Sequence, residues 1–316
     1  MLDLGLLCIN RTSKGGNVNL VVQLIRGLRD VIFRLRNKVR RKMLSKSVFS
    51  DSDNASDSEN TFYVDAVRRF ITNPKAFMKF RRNFDYREIL EHVNYTLGLK
   101  YFNLGTEKYP DFLDILEKSR GIDLTGSPLR YRYKEIGLIS PTLIRYAYVM
   151  AELNEIFNFD EIESISEIGT GYGGQSAVIQ SLHELKCYTV YDLPEVSQLT
   201  QRFLSATNSK FTSRVGNWRS SSEQPCDLLI SNYAFSELPK TVQETYLINV
   251  ISKAKRGYMV MNSGRTNYTG RSTGKMSLGE ILGYIPSLKV IEEYPLTSPD
   301  NYVIVWDLTK LDAKNA

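Results

Sequence analysis

The sequence predicts an α/β protein: an open, mostly parallel sheet of seven strands in the C-terminal half, preceded by a helical N-terminal region. Three observations carry this reading. From Ser164 onward, short apolar runs alternate with helix-length amphipathic pieces, the pattern of a doubly wound sheet. The stretch SISEIGTGYGGQSAVI (164–179) crowds four glycines into six positions directly after the first such run, marking a strand-to-helix turn where a ligand meets bare backbone. The last two runs, LKVIEEY and NYVIVWDL, are joined by PLTSPD, too short for a helical crossover, so the final strand runs antiparallel.

The elements follow in chain order. Residues 1–49 form a basic amphipathic helix region, with Val21, Leu24, Ile25, Leu28, Val31, Ile32, Leu35 and Val39 at helical spacing. Met1 to Lys46 hold eleven Lys and Arg against two Asp, a net of +9, so of the formal +6 the remainder carries −3. Such a helix packs on its own domain or on a second copy in a homo-oligomer, or makes a peripheral membrane contact through residues 20–46. Aromatics that could stack bases are nearly absent there, so no nucleic-acid partner is expected. SDSDNASDSEN (50–60) is an acidic tract that reads as a flexible linker.

Residues 61–150 read as a helical cap or substrate region, broken at Asn73-Pro74 and Tyr109-Pro110 into roughly three or four helices. DLTGSPLRYRYKEIGLI reads as a loop. In the following SPTLIRYAYVMAELNEIF, Ser140 suits an N-cap and Pro141 the first turn. Residues 151–316 carry the sheet, with candidate strands SISEI, CYTVYD, FTSRV, CDLLIS, GYMVMN and the final pair.

Composition narrows the chemistry. Apolar residues at 42% and charged ones at 24% of 316 residues are ordinary for a soluble globular chain. Three cysteines without C-x-x-C spacing (Cys8, Cys187, Cys226) fit a reducing compartment, and no apolar run reaches membrane-span length. The opening MLDLGLLCIN lacks a basic leader, and a cytoplasmic location is expected. The two histidines are weak catalytic candidates. His183 falls nine residues after Gly174, about 14 Å along a helix from the glycine turn. His92 reads as an exposed helical residue. Cys187 and Cys226 begin strands and face away from the strand ends where ligands bind.

Gly169, Gly171 and Gly174 satisfy G-x-G-x-x-G, which a nicotinamide dinucleotide also uses. Asp192 ends the second strand, 23 positions after Gly169, where a carboxylate accepts from both ribose hydroxyls of either kind of cofactor.

Glu167 followed by Gly169, Gly171 and Gly173 resembles the motif of the class I S-adenosylmethionine-dependent methyltransferases. The resemblance implies a Rossmann-like methyltransferase sheet of seven strands, the last antiparallel, and S-adenosyl-L-methionine as cofactor. It implies a cofactor site of Glu167, Gly169, Gly171, Tyr172, Gly173, Asp192, Leu193, Asn217, Trp218 and Asn232. Asn217 and Trp218, in VGNW, stand where that group meets adenine. Arg145 suits the cofactor's carboxylate or an anionic substrate.

SNYAFSEL lacks the Pro-Pro-aromatic signature of methyltransferases acting on base amino groups. F-x-E-L at Phe235–Leu238, with DLP, SPTLIRYAYV and PLTSPDNYVIVW, is similar to a sugar O-methyltransferase family, over about Tyr131 to Asp307. That similarity implies a sugar or glycan acceptor: a nucleotide sugar, or a unit of a surface polysaccharide. Glu237 is then the candidate general base, and Tyr233, Tyr268 and Asn301 are candidate substrate contacts. No metal is expected. A natural-product O-methyltransferase with a phenolic acceptor shares the same cofactor motif. A nicotinamide-dependent oxidoreductase fits the glycine spacing but not the terminal hairpin. A scaffold that binds the cofactor without turnover is the non-enzymatic alternative.

Overall fold

The computed structural model describes residues 61–87, 90–91, 93–265, 274–285 and 287–309. The basic helix expected in residues 1–49, the linker 50–60, Cys8, His92 and Tyr268 lie outside them.

The helical region holds α1 (Thr61–Thr72), α2 (Pro74–Phe77), α3 (Phe84–Arg87), α4 (Tyr95–Lys108) and α5 (Phe112–Ser119). Both expected breaks occur. The Asn73 side chain accepts from the Ala76 N–H at 3.1 Å, with Pro74 in the first turn, and Tyr109 caps α4 before Pro110. A further start appears at Asn94, whose side chain accepts from the Leu97 N–H at 2.9 Å, so the region has more helices than expected.

The stretch expected to be a loop instead forms a hairpin of β1 (Tyr131–Tyr133) and β2 (Gly137–Ile139), paired antiparallel. Its short alternation, with Tyr133 and Ile139 buried, is masked in sequence by Arg132, Lys134 and Glu135. Then comes α6 (Pro141–Ile156). As expected, Ser140 caps it, its hydroxyl accepting from the Leu143 N–H at 3.2 Å. Residues 141–153 of this helix are all buried, because α4 and α5 pack against it and the first helix of the sheet domain covers it further.

The sheet domain runs β3 (Ser164–Ile168), α7 (Gly174–Gln180), β4 (Cys187–Tyr191), α8 (Pro194–Thr207), β5 (Arg214–Val215) and β6 (Cys226–Asn232). It continues with α9 (Ala234–Glu237), α10 (Lys240–Asn249), β7 (Ala254–Met261), α11 (Leu278–Leu282), β8 (Lys289–Glu292) and β9 (Tyr302–Asp307). The strand order is β5-β4-β3-β6-β7-β9-β8. β9 is antiparallel to both neighbours and the remaining pairs are parallel. The sheet is therefore Rossmann-like, with seven strands and the last one antiparallel.

Two strands differ in extent from expectation. β5 pairs over only Arg214 and Val215, because it is an edge strand with β4 as its one neighbour. β7 begins at Ala254, earlier than GYMVMN suggests. Arg256 in its first turn of chain is 4% exposed, paired with Glu161 and lying 3.5 Å from Asp307, so a charge sits where an apolar residue would be expected.

Within the helical region, buried ions fasten the first helices to the start of α6. Arg81, fully buried, pairs with Glu91 and with Asp123 at 3.1 Å, and donates to the Ser140 hydroxyl at 3.2 Å. Asp123 accepts from the Ser140 N–H and hydroxyl, and Glu91 accepts from the Thr142 hydroxyl at 2.9 Å. Each charge has an opposite charge and further hydrogen bonds, the condition for burying ions at tolerable cost. The Arg81 guanidinium also lies 4.8 Å from the ring centre of Tyr172, in the glycine turn.

Candidate functional site

The glycine turn joins β3 to α7 at the carboxyl end of the sheet, between β4 and β6, where open α/β sheets bind ligands. Gly169 has φ +77°, and a Cβ built there would lie 1.9 Å from the Ala234 Cβ. No side chain fits, so the turn after β6 is pressed against the turn after β3. At Gly171, φ is +56° and a Cβ would meet Leu90 of the helical region at 3.0 Å.

Beneath this turn sits Glu167, 2% exposed. Among the described residues its carboxylate has one hydrogen-bonding partner in view, the Tyr188 hydroxyl at 2.7 Å. Burial pushes its carboxyl up to about 8, opposed by Tyr188 and reinforced by Asp192. Asp192, at the end of β4, accepts from the Gly171 N–H at 3.1 Å and the Leu193 N–H at 2.8 Å. Burial raises Asp192 to about 6 despite those backbone donors. Although its surroundings are protein-rich, Asp192 is part-exposed, because it opens on a cavity.

That cavity has a volume of about 540 Å³. Its wall brings together six residues singled out in the sequence: Gly169, Asp192, Leu193, Asn217, Trp218 and Glu237. Trp218 is stacked on Tyr246 (centroids 5.0 Å apart, 14° between planes), with the Arg219 guanidinium 3.9 Å from its ring centre. Asn217 is exposed and its side-chain oxygen accepts from the Arg219 N–H at 3.2 Å, leaving its amide NH₂ for a ligand. Glu237 is exposed, and its carboxylate accepts from the Asn262 amide at 3.0 Å. Leu238 of F-x-E-L and Pro194 of DLP also line this wall, as do Tyr246 and Val242, which were not singled out because in sequence each reads as an ordinary helix residue.

The other sequence candidates stand elsewhere. The Tyr172 ring is fully buried among Phe80, Tyr86, Tyr146 and Phe203, so only its backbone shapes the turn. Asn232, the last residue of β6, has both side-chain amide atoms buried without a hydrogen-bond partner. Arg145, on α6, is 7% exposed; its guanidinium lies 5.1 Å from the Tyr233 ring centre, with the Tyr101 hydroxyl beside it. Among the described residues no carboxylate pairs with it. Burial works against its charge, but Tyr233, Tyr101, Tyr146 and Glu293 outweigh that and keep the guanidinium charged.

Tyr233 and Asn301 share two hydrogen-bonding partners, Glu293 and Thr297. The Tyr233 hydroxyl donates to Glu293 and lies 3.1 Å from the Thr297 hydroxyl. The Asn301 amide donates to Glu293 at 3.0 Å. Glu293 itself escaped the sequence reading: in VIEEYP it looks like an exposed turn acid, yet it is 5% exposed. His183 stacks on Phe159, and Cys226 starts β6, both away from the strand ends, as expected. Among the described residues no group of three or more His, Cys, Asp and Glu is placed to hold a metal ion. Nor is any helix among them long and apolar enough to cross a membrane.

No model of a protein family matches the chain, and no curated protein matches it either. Among solved structures it is similar to "PigF with SAH", at 15% identity over 50% of this chain and 60% of that one, TM-score 0.38. It is also similar to an O-methyltransferase family protein from Burkholderia thailandensis (10%, 66% of this chain, 70% of that chain, TM-score 0.38). A third is the O-methyltransferase NcsB1 from neocarzinostatin biosynthesis, in complex with S-adenosyl-L-homocysteine and 1,4-dihydroxy-2-naphthoic acid (17%, 53%, 58%, TM-score 0.36). The chain spans about three fifths of the length of PigF and of NcsB1. Likeness at this level carries no argument about chemistry.

Proposed function

We propose that this protein is an S-adenosyl-L-methionine-dependent O-methyltransferase whose acceptor is a sugar hydroxyl. The observation that carries the cofactor is a pair of buried groups of opposite type, neither in an ion pair among the described residues: the Glu167 carboxyl beneath the glycine turn, which burial keeps protonated near neutral pH, and the Arg145 guanidinium. Tyr146 senses both of them. A buried ion without a partner is costly, and a ligand with matching groups removes the cost. An α-amino acid zwitterion offers an ammonium to the one and a carboxylate to the other. Asp192 and the aromatic wall of Trp218 and Tyr246 suit the ribose and adenine of the same ligand, and the cavity is nucleoside-sized.

S-adenosylmethionine supplies an electrophilic methyl group on a sulfonium. The protein's own share is alignment and exclusion of water. Asp192 fixes the ribose, the glycine turn admits the backbone contact, and the β6–α9 turn, held against Gly169, carries the acceptor side. A polyol acceptor is favoured by the polar character of that side: Asn232, Tyr233, Thr297 and Asn301 bring hydroxyl and amide groups together where the turn after β6 meets the β8–β9 turn. Glu237 is one carboxylate in reach of the cofactor cavity and remains a candidate for taking the acceptor's proton.

Calorimetric titration with S-adenosylhomocysteine and with NAD separates the two cofactor classes. The proposal expects saturable binding of S-adenosylhomocysteine alone, weakened in Asp192→Ala. Binding of NAD alone would sink it.

A further inference from the structure

The β6–α9 turn contains a device that the cofactor reading does not use. We propose that Tyr233 and Glu293 form a proton relay: the Tyr233 oxygen receives the acceptor's proton while its own proton passes to the Glu293 carboxylate. This rests on the methyltransferase reading and names, within it, the groups that activate the acceptor.

Position comes first. Ala234 presses on Gly169, so Tyr233, one residue earlier, stands beside the glycine turn. Its backbone is in the left-handed region, φ 69° and ψ −29°, shared among described non-glycine residues only with Ser127. For a bulky aromatic this conformation is strained, and it persists only where surrounding contacts hold it. Those contacts are its N–H to the Val260 carbonyl, its hydroxyl to Glu293, and Arg145 over its ring. Beside it, the two unpartnered amide atoms of Asn232 offer a donor and an acceptor to a ligand hydroxyl.

Glu293 is held as a hydrogen-bond acceptor and stands in no ion pair among the described residues. It is fixed by the Thr297 N–H at 2.9 Å, the Thr297 hydroxyl at 2.8 Å and the Asn301 amide at 3.0 Å. Arg145, whose charge Glu293 supports from a distance, stacks on the Tyr233 ring. Burial raises the Tyr233 phenol, Arg145 opposing and Tyr101 and Glu293 adding to the rise, so Tyr233 passes a proton without standing as a phenolate.

The step balances. The acceptor O–H breaks and its proton goes to the Tyr233 oxygen, while the Tyr233 proton goes to Glu293. The freed oxygen pair forms the C–O bond as the C–S bond of the methyl sulfonium donor breaks, its pair staying on sulfur. One positive charge disappears at sulfur and one negative charge at Glu293, so the net charge of the buried site is unchanged. A relay ending on exposed Glu237 would not conserve the charge of the interior.

The experiment compares wild type with Tyr233→Phe, Glu293→Gln, Glu293→Asp, Glu237→Gln and the Tyr233→Phe/Glu293→Gln double variant. S-adenosylhomocysteine affinity is read by calorimetry. Turnover is read with S-adenosylmethionine and methyl α-D-glucopyranoside, UDP-glucose and UDP-glucuronate as acceptors. The ¹³Cζ resonance of Tyr233 is read at neutral pH. The relay predicts that Tyr233→Phe and Glu293→Gln each lower kcat about 100-fold or more, the contribution of a positioned base. S-adenosylhomocysteine affinity and acceptor KM should stay within about threefold, and the double variant should be no worse than either single one, since the pair acts as a unit. Glu293→Asp should recover part of the rate. Glu293→Gln should shift the Tyr233 ¹³Cζ signal toward that of a free phenol.

An unmoved signal overturns the relay whether or not an acceptor is found. So does a rate lost in Glu237→Gln and kept in Glu293→Gln. A wild type that binds S-adenosylhomocysteine but turns over none of the acceptors removes the sugar reading and the relay with it, while a wild type that fails to bind it removes the cofactor reading itself.

Discussion

Two sets of buried ionisable groups are handled in opposite ways. Around Arg81 every ion is matched: Glu91 and Asp123 flank the guanidinium, and Ser140 and Thr142 fill the remaining sites. Across the glycine turn, Glu167 has a tyrosine hydroxyl for company and Arg145 has aromatic rings. The first set is architecture, closed on itself and fastening the helical region to α6. The second is open, and its cost is the sign of a ligand that completes it. Buried charge alone does not mark a site; buried charge without its partner does.

The comparison can be broken at several points, in decreasing order of expected effect. Arg81→Met leaves two buried carboxylates unpaired and should destabilise the fold by about 3–5 kcal/mol, read from urea unfolding. Loss below about 1 kcal/mol would mean that the network is not closed as described. Asp192→Ala leaves the fold intact but should weaken S-adenosylhomocysteine by about 1.5–3 kcal/mol, the value of hydrogen bonds to a charged group. Calorimetry reads it directly.

Glu167→Gln acts through pH. In the unliganded protein its carboxyl lies near 8, against 4.5 for the ordinary group. Between those values the native state keeps a proton that the unfolded chain has released. Stability therefore falls as pH rises from 4.5 to about 8, with a slope approaching about 1.4 kcal/mol per pH unit. The Gln variant should lose that slope and be the more stable protein at pH 8; equal slopes in urea unfolding at pH 5, 6.5 and 8 would contradict it. Smallest of all is Arg68→Ala. It removes an exposed ion pair between α1 and Glu195 of α8, and its thermal midpoint should match wild type.

Much of this was legible in the sequence. Apolar runs, the glycine cluster and the short final connection were enough for a mostly parallel sheet of seven strands with the last one antiparallel. The carboxylates at strand ends followed, because in a parallel sheet the strand end is the site. Local spacing also told Ser140 and Asn73 apart from ordinary polar residues. What was not legible depends on distant segments meeting. Glu293 matters because the β8–β9 turn folds back on the turn after β6, and nothing near VIEEYP announces it. The β1–β2 hairpin was missed because charged residues interrupt a pairing only three residues long. Tyr172 was read from its place between glycines, yet its ring turns into the helical core, a choice made by Phe80 and Phe203.

The central claim is that the open charges of the glycine turn receive the cofactor's amino acid end. Its most direct test is the proton balance of S-adenosylhomocysteine binding, measured by calorimetry at pH 7 in buffers of different ionisation enthalpy. If Glu167 is protonated in the empty site and meets an ammonium in the filled one, binding should release close to one proton, and Glu167→Gln should release none. Binding without proton release in the wild type, or with equal release in the variant, would contradict the account.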